Sequence, residues 1–403
     1  MVGRSSLDRG RRPRRPFSSV ARPDQGSGAD EGVRPTYNDA MNSRVLILFA
    51  VAACAQTPPL VSPEVHADNT VTFRLRAPNA RVVTLNLEGA KPAAMQLEEK
   101  EVWTYTSPAL EPDIYGYTFS VDGVGMMDPS NPLVHPSAIN PSSGVHIPGK
   151  GFPWEADAGP HGEVHHHFYK STLAGDNRDY YVYTPSGYSR SNSRRYPVLY
   201  LLHGYSHEAS SWTSIGRANI ILDNLIFEGK AKPMIIVMPL GYGPLDGILP
   251  RSAKTDANYR TNLMRFREIL LNEVMPRVEN EYRIDRRREM HAIAGLSMGG
   301  AESLLTGLTN LDKFASIGSF SAGGLGEDYD VLFPKLEQSA NSQIKLLWIA
   351  SGTEDSLIAT NRKFFDMLSA KYIRFTPIET PGMHTWMVWR RNLAAFAPLL
   401  FQP

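Results

Sequence analysis

The amino-acid sequence predicts two folded parts, a small all-β domain followed by a larger α/β domain with a doubly wound, mostly parallel sheet. Between residues 70 and 121, three segments alternate polar with apolar side chains and no helical pattern separates them. From residue 164 onwards, short apolar runs alternate with helical patterns instead. Apolar strands separated by helices are typical of a parallel sheet that helices cover on both faces.

The all-β domain is expected to span residues 56–157. Its alternating segments cover residues 70–76, 82–87 and 115–121, and the last of them ends in an Asp122-Gly123 turn. Strands at this spacing, bounded by turn residues, are typical of a β-sandwich.

The α/β domain is expected to span residues 158–403. Helical patterns cover residues 261–281, 299–308 and 361–370. Strand-like apolar runs lie between and before them, at residues 178–184, 196–202, 234–239, 290–294, 314–320 and 344–350.

Charge and cysteine content exclude several classes of function. The 42 basic and 41 acidic side chains nearly cancel, so nothing points to nucleic acid or to an anionic membrane as a partner. Cys54 is the one cysteine, which rules out an intrachain disulfide and a cysteine metal site. The run His165-His166-His167 lies in a predicted strand, where neighbouring side chains point to opposite faces and cannot share one ion. We therefore expect neither a metal nor a cofactor.

Residues 41–55 have the pattern of a signal peptide. Arg44 precedes an apolar run over residues 45–53, which is too short to span a bilayer, and small residues surround Cys54. The segment also resembles a bacterial lipobox, which would place a lipid on Cys54; a buried strand is the alternative. Residues 1–40 are expected not to fold, and translation is expected to begin at Met41. The predicted location is extracytoplasmic: periplasmic, secreted or lipid-anchored.

Ser297 is the predicted nucleophile. It lies in Gly295-Leu296-Ser297-Met298-Gly299, directly after an apolar strand and directly before a helical stretch. A nucleophile on such a sharp strand-to-helix turn needs small neighbours, because the backbone is strained there. The alternative is a glycine-rich turn that contains a serine by chance.

A serine hydroxyl needs a base to take its proton, and the base needs an orienting acid. Of eleven histidines, only His384 follows Ser297, in a loop after a predicted strand at residues 374–378. Glu354 and Asp355 both follow the predicted strand at residues 344–350 and could reach the histidine. We prefer Asp355. A surface histidine is the alternative for His384.

The negative charge that forms on an attacked carbonyl oxygen needs two preorganised donors. The backbone N–H of Met298, directly after the nucleophile, is expected to supply one. Tyr205 N–H is expected to supply the other, because it follows an early central strand and Gly204 lets the backbone approach closely. His203, which precedes the serine, is interpreted as structural.

Aromatic residues provide candidates for a substrate pocket. Trp212, Tyr242, Trp386 and Trp389 could line an acyl or aromatic site, and burial in the core is the alternative for each.

Four segments of the α/β domain resemble carbohydrate esterase family one, the feruloyl and acetyl-xylan esterases related to esterase D and to siderophore esterases. The resemblance extends over nearly all of residues 164–402 and rests on residues 196–204, 292–300, 352–356 and 382–386. It implies an α/β-hydrolase fold and a triad of Ser297, Asp355 and His384. It also implies that Tyr205 and Met298 are the oxyanion donors.

The all-β domain is similar to family 48 carbohydrate-binding modules and to related early-set, immunoglobulin-like domains. The similarity rests on Tyr115-Gly116-Tyr117 and Asp128-Pro129. It implies glycan binding; a packing domain that shapes the rim of the active site is the alternative.

The resulting prediction is an exported serine ester hydrolase that releases acetyl or feruloyl groups from xylan-type polysaccharides through an acyl-enzyme. Its expected partner is an esterified polysaccharide or oligosaccharide. The alternatives are a siderophore (enterochelin-type) esterase, an acyltransferase on the same fold and, in another class, a non-catalytic glycan-binding protein.

Overall fold

A computed structural model of the chain describes residues 59–98, 101–155, 159–188, 193–245 and 256–402. The expectations for residues 1–40, for the signal peptide at residues 41–55 and for Cys54 lie outside these residues. None of the helices in the described part of the chain combines the length and apolar character needed to cross a bilayer.

Residues 59–155, here called the sandwich, fold as two antiparallel sheets around a shared core. The sheet orders are β1-β2-β6-β5 and β4-β3-β7-β10-β9, with β8 paired to β7. Phe73, Tyr117 and Phe119 are at most 1% exposed and stack edge to face in this core. The strands are β1 (Glu64–Val65), β2 (Val71–Arg76), β3 (Val83–Leu87), β4 (Ala93–Ala94), β5 (Gln96–Leu97), β6 (Val102–Thr106), β7 (Asp113–Val121), β8 (Val124–Met126), β9 (Val134–His135) and β10 (Ser142–Ile147).

Residues 159–402, here called the hydrolase domain, contain one eight-stranded sheet in the order β11-β12-β14-β13-β15-β16-β17-β18. The first three strands of this order pair antiparallel and the remaining pairs are parallel. The strands are β11 (Glu163–Lys170), β12 (Asn177–Thr184), β13 (Val198–Leu202), β14 (Ile235–Pro239), β15 (His291–Leu296), β16 (Ser316–Phe320), β17 (Leu346–Gly352) and β18 (Thr376–Thr380).

Helices cover both faces of this sheet, as the apolar runs predict. In β13, Val198, Tyr200 and Leu202 pack into the core on one face, whereas Leu199 and Leu201 pack into the core on the other. The helices are α1 (Ser211–Ser214), α2 (Ala218–Phe227), α3 (Asp256–Ile269), α4 (Met275–Glu281), α5 (Met298–Thr309), α6 (Tyr329–Leu332), α7 (Ile358–Ala370) and α8 (Trp386–Phe396). A π-helical turn at Leu270–Val274 divides the helix predicted at residues 261–281 into α3 and α4.

The sandwich contacts the hydrolase domain through α8. Arg390 and Asp113 are both fully buried, and the guanidinium donates to the Asp113 carboxylate at 2.6 and 3.0 Å. Arg391 donates to the second carboxylate oxygen at 3.1 Å. Met387 packs into the core of the sandwich. These contacts fix α8 against β7, and α8 begins two residues after His384.

The predicted fold class is therefore confirmed: an α/β-hydrolase-type sheet follows an all-β, sandwich-like region. The main difference lies in the boundaries of single elements. For the majority of strands and helices, the observed boundaries differ from the predicted ones by one to three residues.

Candidate active site

Ser297 occupies a strained turn between β15 and α5. Its φ of 52° and ψ of −114° lie in a region that costs a non-glycine residue about 1–3 kcal/mol. The surrounding backbone holds this conformation. Ser297 N–H donates to Phe320 O at 2.8 Å, and Ser297 O accepts from Ala301 N at 3.1 Å and from Gly323 N at 3.0 Å.

Gly295 and Gly299, on either side of Ser297, are required because backbone packs directly against backbone here. A Cβ on Gly299 would lie 2.5 Å from His203 O, and one on Gly295 would lie 2.4 Å from Gly299 O. Both distances are too short for a side chain. The first turn of α5 therefore packs directly against the end of β13.

The structure brings the three residues of the predicted triad together. His384 Nε2 lies 3.0 Å from Ser297 Oγ, and His384 Nδ1 lies 2.8 Å from Asp355 Oδ2. Asp355 is 2% exposed at the carboxyl end of β17, whereas the alternative acid, Glu354, is exposed. The Trp389 ring packs edge to face on the imidazole, with the ring centroids 4.9 Å apart.

The charge state of Asp355 determines the roles of the imidazole nitrogens. Burial raises the pKa of Asp355, but the hydrogen bond and charge of His384, together with Leu357 N–H, outweigh burial and hold the pKa below its ordinary value. The carboxylate is therefore ionised at neutral pH and accepts a hydrogen bond from His384 Nδ1–H. Nε2 is left as the acceptor for the Ser297 hydroxyl.

His203 fixes the peptide between Gly204 and Tyr205. Gly241 N–H donates to His203 Nε2 at 2.8 Å, so the proton of the neutral ring is on Nδ1, which donates to Gly204 O at 2.8 Å. Burial lowers the pKa of His203 to about 4, which keeps the ring neutral. Because the C=O and N–H of a trans peptide point in opposite directions, Tyr205 N–H is directed away from His203.

The two predicted oxyanion donors flank the serine. A Cβ on Gly204 would lie 3.2 Å from Ser297 Cβ, so the loop that carries Tyr205 contacts the turn at Ser297. Met298 is the first residue of α5, and its N–H has no acceptor within the helix. The two residues that carry the predicted donors thus adjoin Ser297, Met298 as its neighbour in the chain and Tyr205 through its loop, which lines the same pocket.

A pocket of about 250 Å³ opens above Ser297. Of the four aromatic residues predicted to line a substrate pocket, Trp386 and Trp389 line it. His207 also lines the pocket and was missed by the sequence analysis.

The predictions for Trp212 and Tyr242 are wrong. Trp212 is fully buried, and its indole N–H donates to Leu202 O at 2.9 Å. Tyr242 is 1% exposed, and its hydroxyl donates to His207 O at 2.8 Å. Both side chains hold the backbone beneath the site, because burying a large aromatic surface and satisfying its polar atom favours the core.

Glu88 of the sandwich reaches the active site and was also missed. Glu88 follows β3 and lines the same pocket as Ser297. Its Oε1 accepts from Trp386 N–H at 2.7 Å, across 298 positions of sequence, and its Oε2 accepts from Gly116 N–H at 2.9 Å. The carboxylate thus connects the sandwich to the loop of His384. No local sequence pattern signals such a long-range contact.

The three consecutive histidines of β11 do not converge. His166 stacks on Tyr181 and contacts Asp179 at 2.7 Å, whereas His167 stacks on Tyr180 and contacts the Tyr282 hydroxyl at 2.6 Å. Within the described ranges, no cluster of three or more His, Cys, Asp or Glu side chains is arranged to hold a metal ion.

The fold and this site together define a carboxylic ester hydrolase of the α/β-hydrolase type. A family model described as "putative esterase" matches residues 171–400, more than half of the chain. The chain belongs to this family.

The curated relatives that match the sequence include two esterases. An endo-1,4-beta-xylanase/feruloyl esterase from Xylanibacter ruminicola is 28% identical over 349 residues, which cover 84% of this chain and 46% of the relative. An acetyl esterase from Caldicellulosiruptor saccharolyticus is 25% identical over 50% of this chain and 82% of its own length. The chain thus spans about half the length of the first relative.

Solved structures show the same architecture. A ferulic acid esterase from the anaerobic fungus Anaeromyces mucronatus aligns with a TM-score of 0.55 at 25% identity, over 63% of this chain and 96% of its own. The enterobactin esterase from Shigella flexneri aligns with a TM-score of 0.62 at 17% identity, over 83% of this chain and 93% of its own. At that identity, the second comparison shows the fold alone.

Replacing Glu88 is expected to impair turnover. Glu88→Ala removes the acceptor for Trp386 N–H and should lower kcat by about 10-fold to 100-fold, because a small displacement of a catalytic group has effects of this size. Glu88→Gln keeps one acceptor oxygen and should lose less. Hydrolysis of p-nitrophenyl acetate measures both, with the exposed Glu98→Ala as control. Wild-type kcat in Glu88→Ala would contradict this role.

Two substitutions of His203 are expected to differ. His203→Asn keeps a donor near the position of Nδ1, whereas His203→Gln places its amide near Nε2 and leaves Gly204 O without that donor. We expect kcat to fall by about 100-fold in His203→Gln and by less in His203→Asn, since a misdirected oxyanion donor costs about this much. Urea unfolding separates this effect from lost stability. A larger loss of kcat in His203→Asn would refute the assignment.

Proposed function

We propose that the protein is a serine esterase that removes acetyl or feruloyl groups from xylan-type polysaccharides through an acyl-enzyme. The observation that carries the proposal is the continuous hydrogen-bonded chain from Ser297 Oγ to His384 Nε2 at 3.0 Å and from His384 Nδ1 to Asp355 at 2.8 Å. In this arrangement a neutral imidazole faces the hydroxyl, and an ionised carboxylate faces the imidazole.

The proposed reaction has two halves. Ser297 Oγ attacks the ester carbonyl while His384 Nε2 takes its proton, and Asp355 stabilises the resulting imidazolium without accepting the proton. His384 then donates that proton to the leaving alcohol, and the acyl group remains on Ser297. In the second half His384 takes a proton from water as the water attacks the acyl-enzyme, and returns that proton to Ser297 Oγ as the bond to the acyl group breaks and the acid leaves.

Backbone N–H groups are proposed to stabilise the negative charge that develops on the carbonyl oxygen. The N–H groups of Tyr205 and Met298 are proposed to donate to this oxygen, and His203 is proposed to orient the first of them through Gly204. Since these donors are held in place before the reaction, they need no reorganisation as the charge forms.

Two observations support acetyl or feruloyl as the acyl group and a xylan-type polysaccharide as its carrier. The relatives are an endo-1,4-beta-xylanase/feruloyl esterase and an acetyl esterase, and the alignment with the first covers 84% of this chain. One solved structure of the Anaeromyces mucronatus enzyme is a complex with ferulic acid, at 25% identity.

A siderophore esterase is the second candidate, because the enterobactin esterase shares the fold over 83% of this chain. A catecholate chelate of iron is an anion, and an anion-binding site needs cationic side chains. The described residues that line the pocket above Ser297 include neither lysine nor arginine. This favours a neutral substrate.

Ser297→Ala is expected to abolish turnover. The assay panel contains p-nitrophenyl acetate, methyl ferulate and acetylated xylan, and the wild type should hydrolyse at least one of them. Loss of the nucleophile should lower kcat by at least about 10⁴-fold. Ser342→Ala is the control and should keep wild-type kcat. Ser342 is exposed, and its hydroxyl donates only a local hydrogen bond to Ser339 O. Equal activity in Ser297→Ala and wild type would remove Ser297 from its role.

We also propose export, on the signal-like residues 41–55. Mass spectrometry of the mature protein from its native host should find an N-terminus at or near Cys54, with an added lipid mass if the lipobox is used. A chain that retains Met41 would contradict export by this signal.

A further inference from the structure

The loop that carries Tyr205 is held on both sides by the segment that follows β14. On the side before Tyr205, His203 Nε2 accepts from Gly241 N–H at 2.8 Å. On the side after it, His207 O accepts from the Tyr242 hydroxyl at 2.8 Å. A displacement of this segment would therefore move both ends of the loop that carries the predicted oxyanion donor.

Residues 241–243, here called the support loop, are fixed in turn by Arg178. Arg178 is the second residue of β12, and β12 pairs with β14 up to Pro239, directly before the support loop. The guanidinium donates from Nη1 to Tyr242 O and from Nη2 to Gly243 O. Two consecutive carbonyl groups of the support loop thus share one cationic donor.

Asp176 fixes the plane of this guanidinium. Its two oxygens accept from Arg178 Nε at 2.7 Å and from Arg178 Nη2 at 3.2 Å. Arg178 therefore donates four hydrogen bonds, two to the support loop and two to Asp176, and its side chain is fully buried. A lysine has a single nitrogen and cannot reproduce this planar arrangement of donors.

Glu302 lies beside the support loop but does not compete for Arg178. A Cβ on Gly241 would lie 3.3 Å from Glu302 Oε2, and neither oxygen of Glu302 has a hydrogen-bond partner among the described residues. Burial raises the pKa of Glu302 well above its ordinary value, and the charge of Arg178 does not outweigh burial. Glu302 is therefore neutral, and Asp176 is the carboxylate that pairs with Arg178.

We propose that Arg178 is a positioning residue of the esterase, which holds the support loop so that His203 and His207 keep Tyr205 N–H directed at the reacting carbonyl oxygen. The inference rests on the proposed function and deepens it, since it connects a buried cation to the oxyanion donor. Arg178 does not line the pocket above Ser297, so its replacement should act on kcat and leave KM nearly unchanged.

Three substitutions test this role in the hydrolysis of p-nitrophenyl acetate. Arg178→Lys keeps the positive charge but loses the planar set of donors, and Arg178→Met loses both. Tyr242→Phe keeps the buried ring but removes the hydroxyl that donates to His207 O. Urea unfolding of each variant measures its loss of stability separately from its loss of kcat.

Arg288 provides a matched control for Arg178. Its guanidinium also donates to two backbone carbonyl groups, Leu311 O at 2.9 Å and Gln343 O at 2.8 Å, and it also contacts an acid, Glu289, at 3.1 Å. None of these residues contacts the support loop or lines the active-site pocket. Arg288→Lys and Arg288→Met should therefore lose stability and keep wild-type kcat.

The expected loss of kcat is about 10-fold to 100-fold in Arg178→Lys and at least as large in Arg178→Met, because a small displacement of a catalytic group has effects of this size. Tyr242→Phe loses one hydrogen bond of two that hold the loop of Tyr205, and should lower kcat by about threefold to tenfold. In all three variants KM should change by less than about threefold.

A double-mutant cycle tests whether Arg178 acts through His203. Both substitutions, Arg178→Lys and His203→Gln, are expected to disturb the same oxyanion donor. The loss caused by Arg178→Lys should therefore be much smaller in the His203→Gln background than in the wild type, because groups that act as a unit are not additive. Losses of kcat that simply multiply would overturn the inference.

The other outcomes separate the inference from the proposed function. Wild-type kcat in Arg178→Lys, or equal losses of kcat in the Arg178 and Arg288 variants, would overturn the inference and leave the esterase intact. A raised KM at unchanged kcat would also overturn it. Should Arg178→Met not fold, Arg178→Lys and Tyr242→Phe decide the question. A wild type that hydrolyses none of the esters named above would overturn the proposed function, and the inference with it.

Discussion

The active site depends on the direct contact of backbone with backbone between the first turn of α5 and the end of β13. Gly299 has no room for a Cβ against His203 O, and Ser297 is held at a positive φ by hydrogen bonds to Phe320, Ala301 and Gly323. This single contact places the serine hydroxyl, the N-terminus of α5 and the loop of Tyr205 at one point. Any side chain at Gly299 would separate them.

The histidine side of the site depends on a different set of contacts, which cross the boundary between sandwich and hydrolase domain. Asp113 and Arg390 form a fully buried ion pair, and Arg390 also donates to Ile215 O at 2.9 Å. A desolvated ion pair adds little net stability compared with apolar packing, but its directional hydrogen bonds fix the relative position of its partners. Here the fixed element is α8. Glu88 also accepts a hydrogen bond from Trp386 N–H. The loop of His384 is therefore held in two ways, by this hydrogen bond to its backbone and by the contacts that fix α8.

Neutral, buried imidazoles recur around the site. His203 and His207 lie beneath and beside the pocket, and burial lowers the pKa of each far below its ordinary value. They act as fixed donors and acceptors and do not titrate near neutral pH. His384 Nδ1 instead lies 2.8 Å from the Asp355 carboxylate, which stabilises the imidazolium that forms during the proposed reaction.

Local sequence patterns predicted much of the fold and the triad. The apolar runs at residues 196–202 and 290–294 correspond to β13 and β15, because strands covered on both faces leave no polar positions. The histidine of the triad followed from chain order, since only one histidine lies after Ser297, whereas Asp355 was preferred over Glu354 although both follow the same predicted strand. The π-helical turn at Leu270–Val274 was not predicted, because the helical period continues through it.

The sequence by itself determined the sheet, the turn at Ser297 and the histidine of the triad, since each is encoded in a short spacing or in chain order, whereas the tertiary structure decided between Asp355 and Glu354. Only the tertiary structure decided which aromatic side chains face the pocket. Trp212 is buried beneath it, whereas Trp386 lines it. Both residues are tryptophans, so the residue type does not distinguish them. The tertiary structure alone also revealed Glu88, whose contact with Trp386 spans 298 positions. The physical reason is that periodicity reports which face of an element is buried, but not which distant element covers that face.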